Sequence, residues 1–187
     1  MVDVIHRGTE RRSDVLDAAL RTFTRFGYRK TSMDDVAREA QISRPGLYFL
    51  FTSKNGLFRE AAERGVQFDL AAAEEALLAP GRPVHESIAA AFDAWAGRYV
   101  GPIRDTAALI ADNPDLLGPV ALDGPARFEA LLRAALEQTS LSQVAPTVAR
   151  TLISLSIGIK HQAETRDEYR SRFTAALGLL ISPNAMR

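Results

Sequence analysis

The chain contains no cysteine in 187 residues, so disulfides, thiolate nucleophiles and cysteine-ligated metals are all excluded. Histidine is nearly as scarce: His6, His85 and His161 stand far apart and match no zinc-ligand spacing. His161 and Glu164 are three apart on a helical pattern, like half of a di-iron carboxylate site, but no second Glu-x-x-His accompanies them. No phosphate loop, nucleophile elbow or dinucleotide fingerprint occurs. These absences argue against an enzyme, and neither cofactor nor metal is expected. Long apolar runs are missing as well. None reaches the roughly 18–20 residues that span a bilayer, and the opening MVDVIHRGTERRSD lacks a signal peptide's apolar segment. A cytoplasmic location with no membrane partner is the expectation.

Net charge is also absent, yet unevenly so. Residues 1–60 carry 11 Lys/Arg against 8 Asp/Glu, and residues 61–187 carry 12 against 15. A basic head on an acidic body is the polarity expected of a protein that meets a polyanion through its N-terminal part. Hydrophobic residues make up 47% of the chain and charged residues 25%, enough apolar material for a good-sized core.

What the chain does have is helical periodicity, with no convincing strand, no internal repeat and no low-complexity segment. An all-α fold of about nine helices is expected. After an opening basic arm with Arg7, Arg11 and Arg12, the apolar positions Leu16, Ala19, Leu20, Phe23 and Phe26 form one stripe, closed by Gly27. The run 32-SMDD-35 offers a serine cap with Asp35 three residues on, followed by a helix of about two turns. After the turn 41-QIS-43, Ser43 is a second cap and Pro45 sits in the first turn, where its missing N–H costs nothing. In that third helix Leu47, Leu50 and Phe51 point one way. Arg44, Pro45, Tyr48, Phe49 and Thr52 point the other. Ser53 caps the next helix, which reaches Leu78, and further helices are expected over about 84–99, 103–111, 125–138, 146–164 and 167–181.

Two short helices joined by a three-residue turn, the second with an outward polar and aromatic face, form a helix-turn-helix. Such a helix fits the DNA major groove, and N–H groups at helix starts bind phosphates. The stretch 15-VLDAALRTFTRFGYRKTSMDDVAREAQISRPGLYFLFTSKNGLF-58 resembles the N-terminal domain of the TetR family of bacterial transcriptional regulators. The landmarks are the Ala and Phe of helix one, the GY turn, TS before helix two, VA and EA within it, IS in the turn, then LY, F, SK and LF. The resemblance implies a helix-turn-helix DNA-binding domain over 1–56 and a helical ligand-binding and dimerisation domain over 57–187. It implies phosphate contacts from Thr31, Ser32, Tyr48 and Lys54, with Ser43 at the start of the reading helix, and base-edge contacts from Arg44, Pro45, Gly46 and Phe49. Arg44 matches guanine O6 and N7, while Pro45 or Phe49 can touch a thymine methyl. Ser32 and Ser43 can equally serve as caps alone, and Phe49 can pack on the neighbouring helix. Where the family commonly has glycine in the turn, this chain has Gln41, which would need an uncommon positive φ.

Family members pair through their last two helices. That implies a homodimer here, with Leu155, Ile159, Phe173, Leu177 and Leu180 at the interface, unless this stripe is internal core. Between head and dimer helices, Phe68, Phe92, Trp95, Tyr99, Ile103, Phe128 and Leu132 form an aromatic and apolar set. It reads either as core or as the lining of a cavity for a small, mostly apolar effector. The resulting expectation is a ligand-responsive repressor on double-stranded DNA with a palindromic operator; the alternative is a helical adaptor acting through protein contacts.

Overall fold

The structure is a computed structural model that describes residues 2–100 and 116–181. Every regular element among these residues is helical: α1 (Val2–Phe26), α2 (Met33–Glu39), α3 (Arg44–Leu50), α4 (Lys54–Leu78), α5 (Val84–Trp95), α6 (Pro119–Glu137), α7 (Ala145–Gln162) and α8 (Arg166–Leu180). Single 3-10 turns lie at Gly97–Tyr99 and Ser142–Val144. The expected helix over 103–111 falls outside the described residues.

Most boundaries follow from local chemistry. Gly27, at φ 78°, closes α1 with its amide on the Phe23 carbonyl at 2.9 Å. Ser53 Oγ accepts the Gly56 amide at 3.1 Å and starts α4. Thr165 does the same for α8 through the Glu168 amide at 3.2 Å. Two expectations change. The basic opening is helical rather than a free arm, because α1 runs without a break from residue 2 into the buried stripe that anchors it. The helix expected from residue 125 begins at Pro119 and carries Pro125 inside it, which leaves the Ala121 carbonyl without its usual donor four residues on.

The chain divides into two compact units, which among the described residues comprise 2–65 with 116–122, and 66–100 with 123–181. The first is cored by Val15, Ala19 and Phe23 of α1, Val36 and Ala37 of α2, Leu47 of α3, Phe51, and Leu57, Phe58 and Ala61 of α4. Phe58 meets Phe23 edge-on at 5.1 Å and Tyr28 at 4.9 Å between ring centroids. The second unit is built around Phe92, whose ring lies 5.0 Å from Phe128 and 4.4 Å from Phe173. Fully burying a side chain of this size contributes on the order of 1.5–3 kcal/mol, so these rings dominate that core. The Tyr169 hydroxyl pairs with the Ser156 hydroxyl at 2.8 Å, which keeps both buried polar groups satisfied. Trp95, the only tryptophan, stacks on Phe128 at 5.0 Å with an 8° tilt.

Among the described residues no helix is long and apolar enough to cross a membrane, and no group of three or more metal-ligating side chains gathers.

Candidate nucleic-acid interface

The first unit places α2, a turn and α3 in sequence, and each end is fixed by side-chain chemistry. Ser32 Oγ accepts the Asp35 amide at 3.2 Å, while the Asp35 carboxylate accepts the Ser32 amide at 2.9 Å, a reciprocal capping box. The Ser32 hydroxyl also donates to that carboxylate at 2.6 Å, and this bond with the one from the Ser32 amide holds the Asp35 carboxyl below its ordinary pKa at the start of α2. Gln41 takes φ 53°, the left-handed geometry anticipated for this position, and the Ile42 amide returns to the Ala37 carbonyl at 3.0 Å. Ser43 Oγ then accepts the Gly46 amide at 3.2 Å and opens α3. At the other end Arg12 donates to the Leu50 carbonyl at 2.7 Å and to both Glu60 oxygens at 2.7 Å, with its guanidinium 4.1 Å from the Phe51 ring centroid. Arg12 thus serves the fold, tying the last turn of α3 to α1 and α4.

With both ends held, α3 divides cleanly. Leu47 and Phe51 are buried and Leu50 is half-buried; Arg44, Pro45, Tyr48 and Phe49 face solvent, Phe49 with 88% of its surface open. Packing of Phe49 on a neighbouring helix is therefore ruled out within this chain. Gly46 is snug rather than empty: a Cβ there would lie 3.1 Å from Ser43 Oγ. Arg44 Nε lies 3.0 Å from Asp34 Oδ1 of α2, and its Cζ is 5.7 Å from the Tyr48 ring centroid. Lys54 stands at the start of α4, half-buried, with Nζ 4.2 Å from the Tyr28 ring centroid; burial lowers its pKa. Tyr28 in turn hydrogen-bonds Asn55 through its hydroxyl.

Thr31 departs from expectation. It is 2% exposed, and its hydroxyl donates to the Gly27 carbonyl at 2.8 Å, closing the turn before α2 rather than offering a phosphate contact. The exposed cations of that same turn are Arg29 and Lys30, which the motif-based reading passed over because it followed hydroxyls rather than the RK pair beside them.

In the second unit the set taken for a ligand cavity separates. Phe92 and Phe128 are 1% exposed and Leu132 fully buried, so they form core. Phe68 is 60% exposed, with the Arg98 guanidinium 5.0 Å from its ring centroid, and Trp95 and Tyr99 are half-buried. Ile103 lies outside the described residues. Beside them Asp69 is almost completely buried and accepts the Tyr99 hydroxyl through Oδ2. Its Oδ1 lies 2.9 Å from Arg98 Nη1, an ion pair by distance but out of line for a hydrogen bond, and among the described residues that oxygen accepts none. Burial pushes the Asp69 carboxyl up to about 6, against the pull of the Tyr99 hydroxyl and Arg98; burial and the facing carboxylate raise Tyr99 further. Sequence reading missed Asp69 because a single acidic residue in a helical pattern looks like a solvated face.

The residues expected at a dimer surface divide likewise. Phe173 and Leu177 are 1% and Ile159 6% exposed, filled in by the chain's own core, and Leu155 is half-buried against it. Only Leu180, at 57%, faces outward, joined by Leu179 at 89% and Ile157 at 53%. The stripe that periodicity picks out is the inward one; the surface of α7 and α8 lies on the opposite side.

A capped α2–turn–α3 unit whose second helix turns an arginine, a tyrosine and a bare phenylalanine to solvent defines a helix-turn-helix DNA-binding protein. Residues 15–61 match the family model described as bacterial regulatory proteins, tetR family. The repressor ComR of Escherichia coli (strain K12) is 28% identical over 154 residues, 82% of this chain and 72% of that one. Among solved structures, a TetR-family regulator of Mesorhizobium loti MAFF303099 superposes with a TM-score of 0.69 at 18% identity, over 93% of this chain and 98% of that one. The multidrug binding protein EbrR, solved in complex with proflavin, gives 0.56 at 25% identity over 91% and 99%. Residues 15–61 thus form a DNA-binding domain of the TetR type, and the proteins that the longer chain resembles are transcriptional regulators rather than enzymes.

Proposed function

We propose that this regulator is a ligand-responsive repressor that acts in the cytoplasm as a homodimer on a palindromic operator, and that a small, mostly apolar effector releases it. The observation that carries the reading is the outward face of α3. Phe49 at 88% exposure contributes almost nothing to the fold, so its place on the surface of a capped, anchored helix is accounted for by what the helix meets. Arg44 reads guanine, Pro45 and Phe49 meet thymine methyls, and Ser32, Ser43, Tyr48 and Lys54 engage the backbone around them.

One such helix reads too few base pairs, and a two-fold pair spaced about 34–36 Å apart doubles the site. Pairing through α7 and α8 is supported by the outward Ile157, Leu179 and Leu180, with Gly158 and Gly178 open for close approach. The effector would meet Phe68, Trp95 and Tyr99, with Asp69 Oδ1, ion-paired to Arg98 but without a hydrogen bond among the described residues, as a polar contact. An effector favouring one arrangement of the dimer shifts operator affinity by its differential binding to the two states. ComR is named a repressor, and EbrR is a multidrug binding protein; both lend support by similarity.

Selection of bound sequences from random duplex DNA tests the reading. A palindrome with half-sites one helical turn apart, bound with steep salt dependence, is expected. Recovery of no preferred sequence at low salt would favour the protein-contact adaptor instead.

A further inference from the structure

We infer that Asp34 is a positioning residue for base readout: it holds Arg44 from the neighbouring helix and trades overall DNA affinity for selectivity. The inference rests on Arg44 being a base reader, as proposed above.

The geometry is a short ladder across the turn. Asp34 Oδ1, in the first turn of α2, lies 3.0 Å from Arg44 Nε at the first position of α3, and Tyr48, one turn along α3, places its ring centroid 5.7 Å from Arg44 Cζ. The Arg44 guanidinium is therefore flanked by a carboxylate beside Nε, an ion pair by distance, and by the Tyr48 ring on the side of Cζ. A guanidinium approached at Nε keeps its outer Nη1/Nη2 edge, and two parallel N–H donors are what guanine O6 and N7 accept. The side chain nonetheless remains 64% exposed and Asp34 49%, so the pair sits at the surface, within reach of a duplex.

Stability does not explain such a pair, since exposed ion pairs contribute little. Charge makes its presence more pointed. A carboxylate on a face that approaches phosphates opposes binding to every sequence alike, while a free arginine there would settle on the nearest phosphate and strengthen binding to every sequence alike. Asp34 does both things that selectivity needs. It withholds Arg44 from the backbone, and it charges a penalty that only a well-placed base contact offsets. The two effects make a signature that a folding role for Asp34 would not produce: removing the carboxylate should tighten binding to the wrong DNA.

The experiment uses the operator recovered by selection and a scrambled duplex of equal length. Affinity is measured on both at three salt concentrations for the full chain, Asp34→Ala, Asp34→Asn, Arg44→Ala and the double variant, with melting curves to establish that each folds. Asp34→Ala is expected to bind scrambled DNA about 2- to 10-fold tighter, with a salt slope steeper by about one phosphate contact. Its ratio of specific to non-specific affinity should fall by about 5-fold or more, with preference lost at the base that Arg44 reads. In the Arg44→Ala background the further loss of Asp34 should leave base preference unchanged. If Asp34→Ala keeps wild-type preference while Arg44→Ala relaxes it, the inference is overturned and the base-reading role of Arg44 stands. If Arg44→Ala itself leaves base preference intact, the reading of Arg44 falls, and this inference with it. Equal loss of preference from Asp34→Ala in both backgrounds would assign Asp34 to the shape of α2 instead, again overturning the inference.

Discussion

Replacing Asp69 with asparagine should change the pH dependence of stability in a direction opposite to that of most carboxylates. Asp69 is 1% exposed, and burial raises its carboxyl from 3.8 to about 6 despite the Tyr99 hydroxyl and Arg98 beside it. The folded chain therefore holds the proton more tightly than the unfolded one. Between those two values the native state binds the extra proton, so stability falls as pH rises, and above about 6 the whole cost of the buried charge applies. A shift of about two units corresponds to about 3 kcal/mol, of which about 2 develop between pH 4.5 and 7.5. Asparagine keeps the shape and an acceptor for Tyr99 but cannot ionise. Trp95 is the only tryptophan and stacks on Phe128 in the same unit, so its fluorescence follows unfolding there. Urea midpoints of wild type and Asp69→Asn should separate by about 1 M across that range for a slope near 2 kcal/mol per M, the variant gaining on wild type as pH rises. The difference cancels carboxylates that behave normally, including Asp17, which its hydrogen bonds to Arg64 hold low and which loses its stabilising effect as pH falls. A separation that stays constant from pH 4.5 to 7.5, or that shrinks as pH rises, would refute the argument.

Phe49→Ala should leave the unfolding free energy within about 0.5 kcal/mol of wild type, because that side chain is 88% exposed, yet weaken operator binding several-fold in a shift assay. Leu177→Ala should cost about 2–5 kcal/mol in denaturant unfolding, since that leucine is buried in its own chain. Leu179→Glu, by contrast, should leave the fold intact and shift a dimer toward monomer by light scattering. Gln41→Gly should raise thermal stability of the first unit by about 0.5–1 kcal/mol, relieving a φ of 53°, with operator affinity preserved.

Much of this was legible in the residues because much of it is local. Ser32, Ser43 and Ser53 cap the helices they precede, Gly27 ends α1, and the two faces of α3 follow from side-chain spacing alone. What escaped notice depends on how helices dock. Nothing in the spacing of Asp34 and Arg44 shows that they meet, because α2 and α3 are brought together by Val36, Ala37 and Leu47. Nor does periodicity say which side of α8 is inward: it marks Phe173 and Leu177 as a stripe, and only the presence of Phe92 shows that the stripe is already covered. Thr31 has the residue type of a phosphate contact, but its burial is set by the preceding turn.

The separation of faces on α3 has a consequence for how such a protein can change. Leu47, Phe51 and the Arg12 bond to the Leu50 carbonyl hold the helix in place, while Pro45, Tyr48 and Phe49 make no part of that anchorage. Substitutions at these three outward positions are close to free of folding cost. A drifting lineage, or a designed library, can therefore explore new operators there without risking the scaffold that displays them.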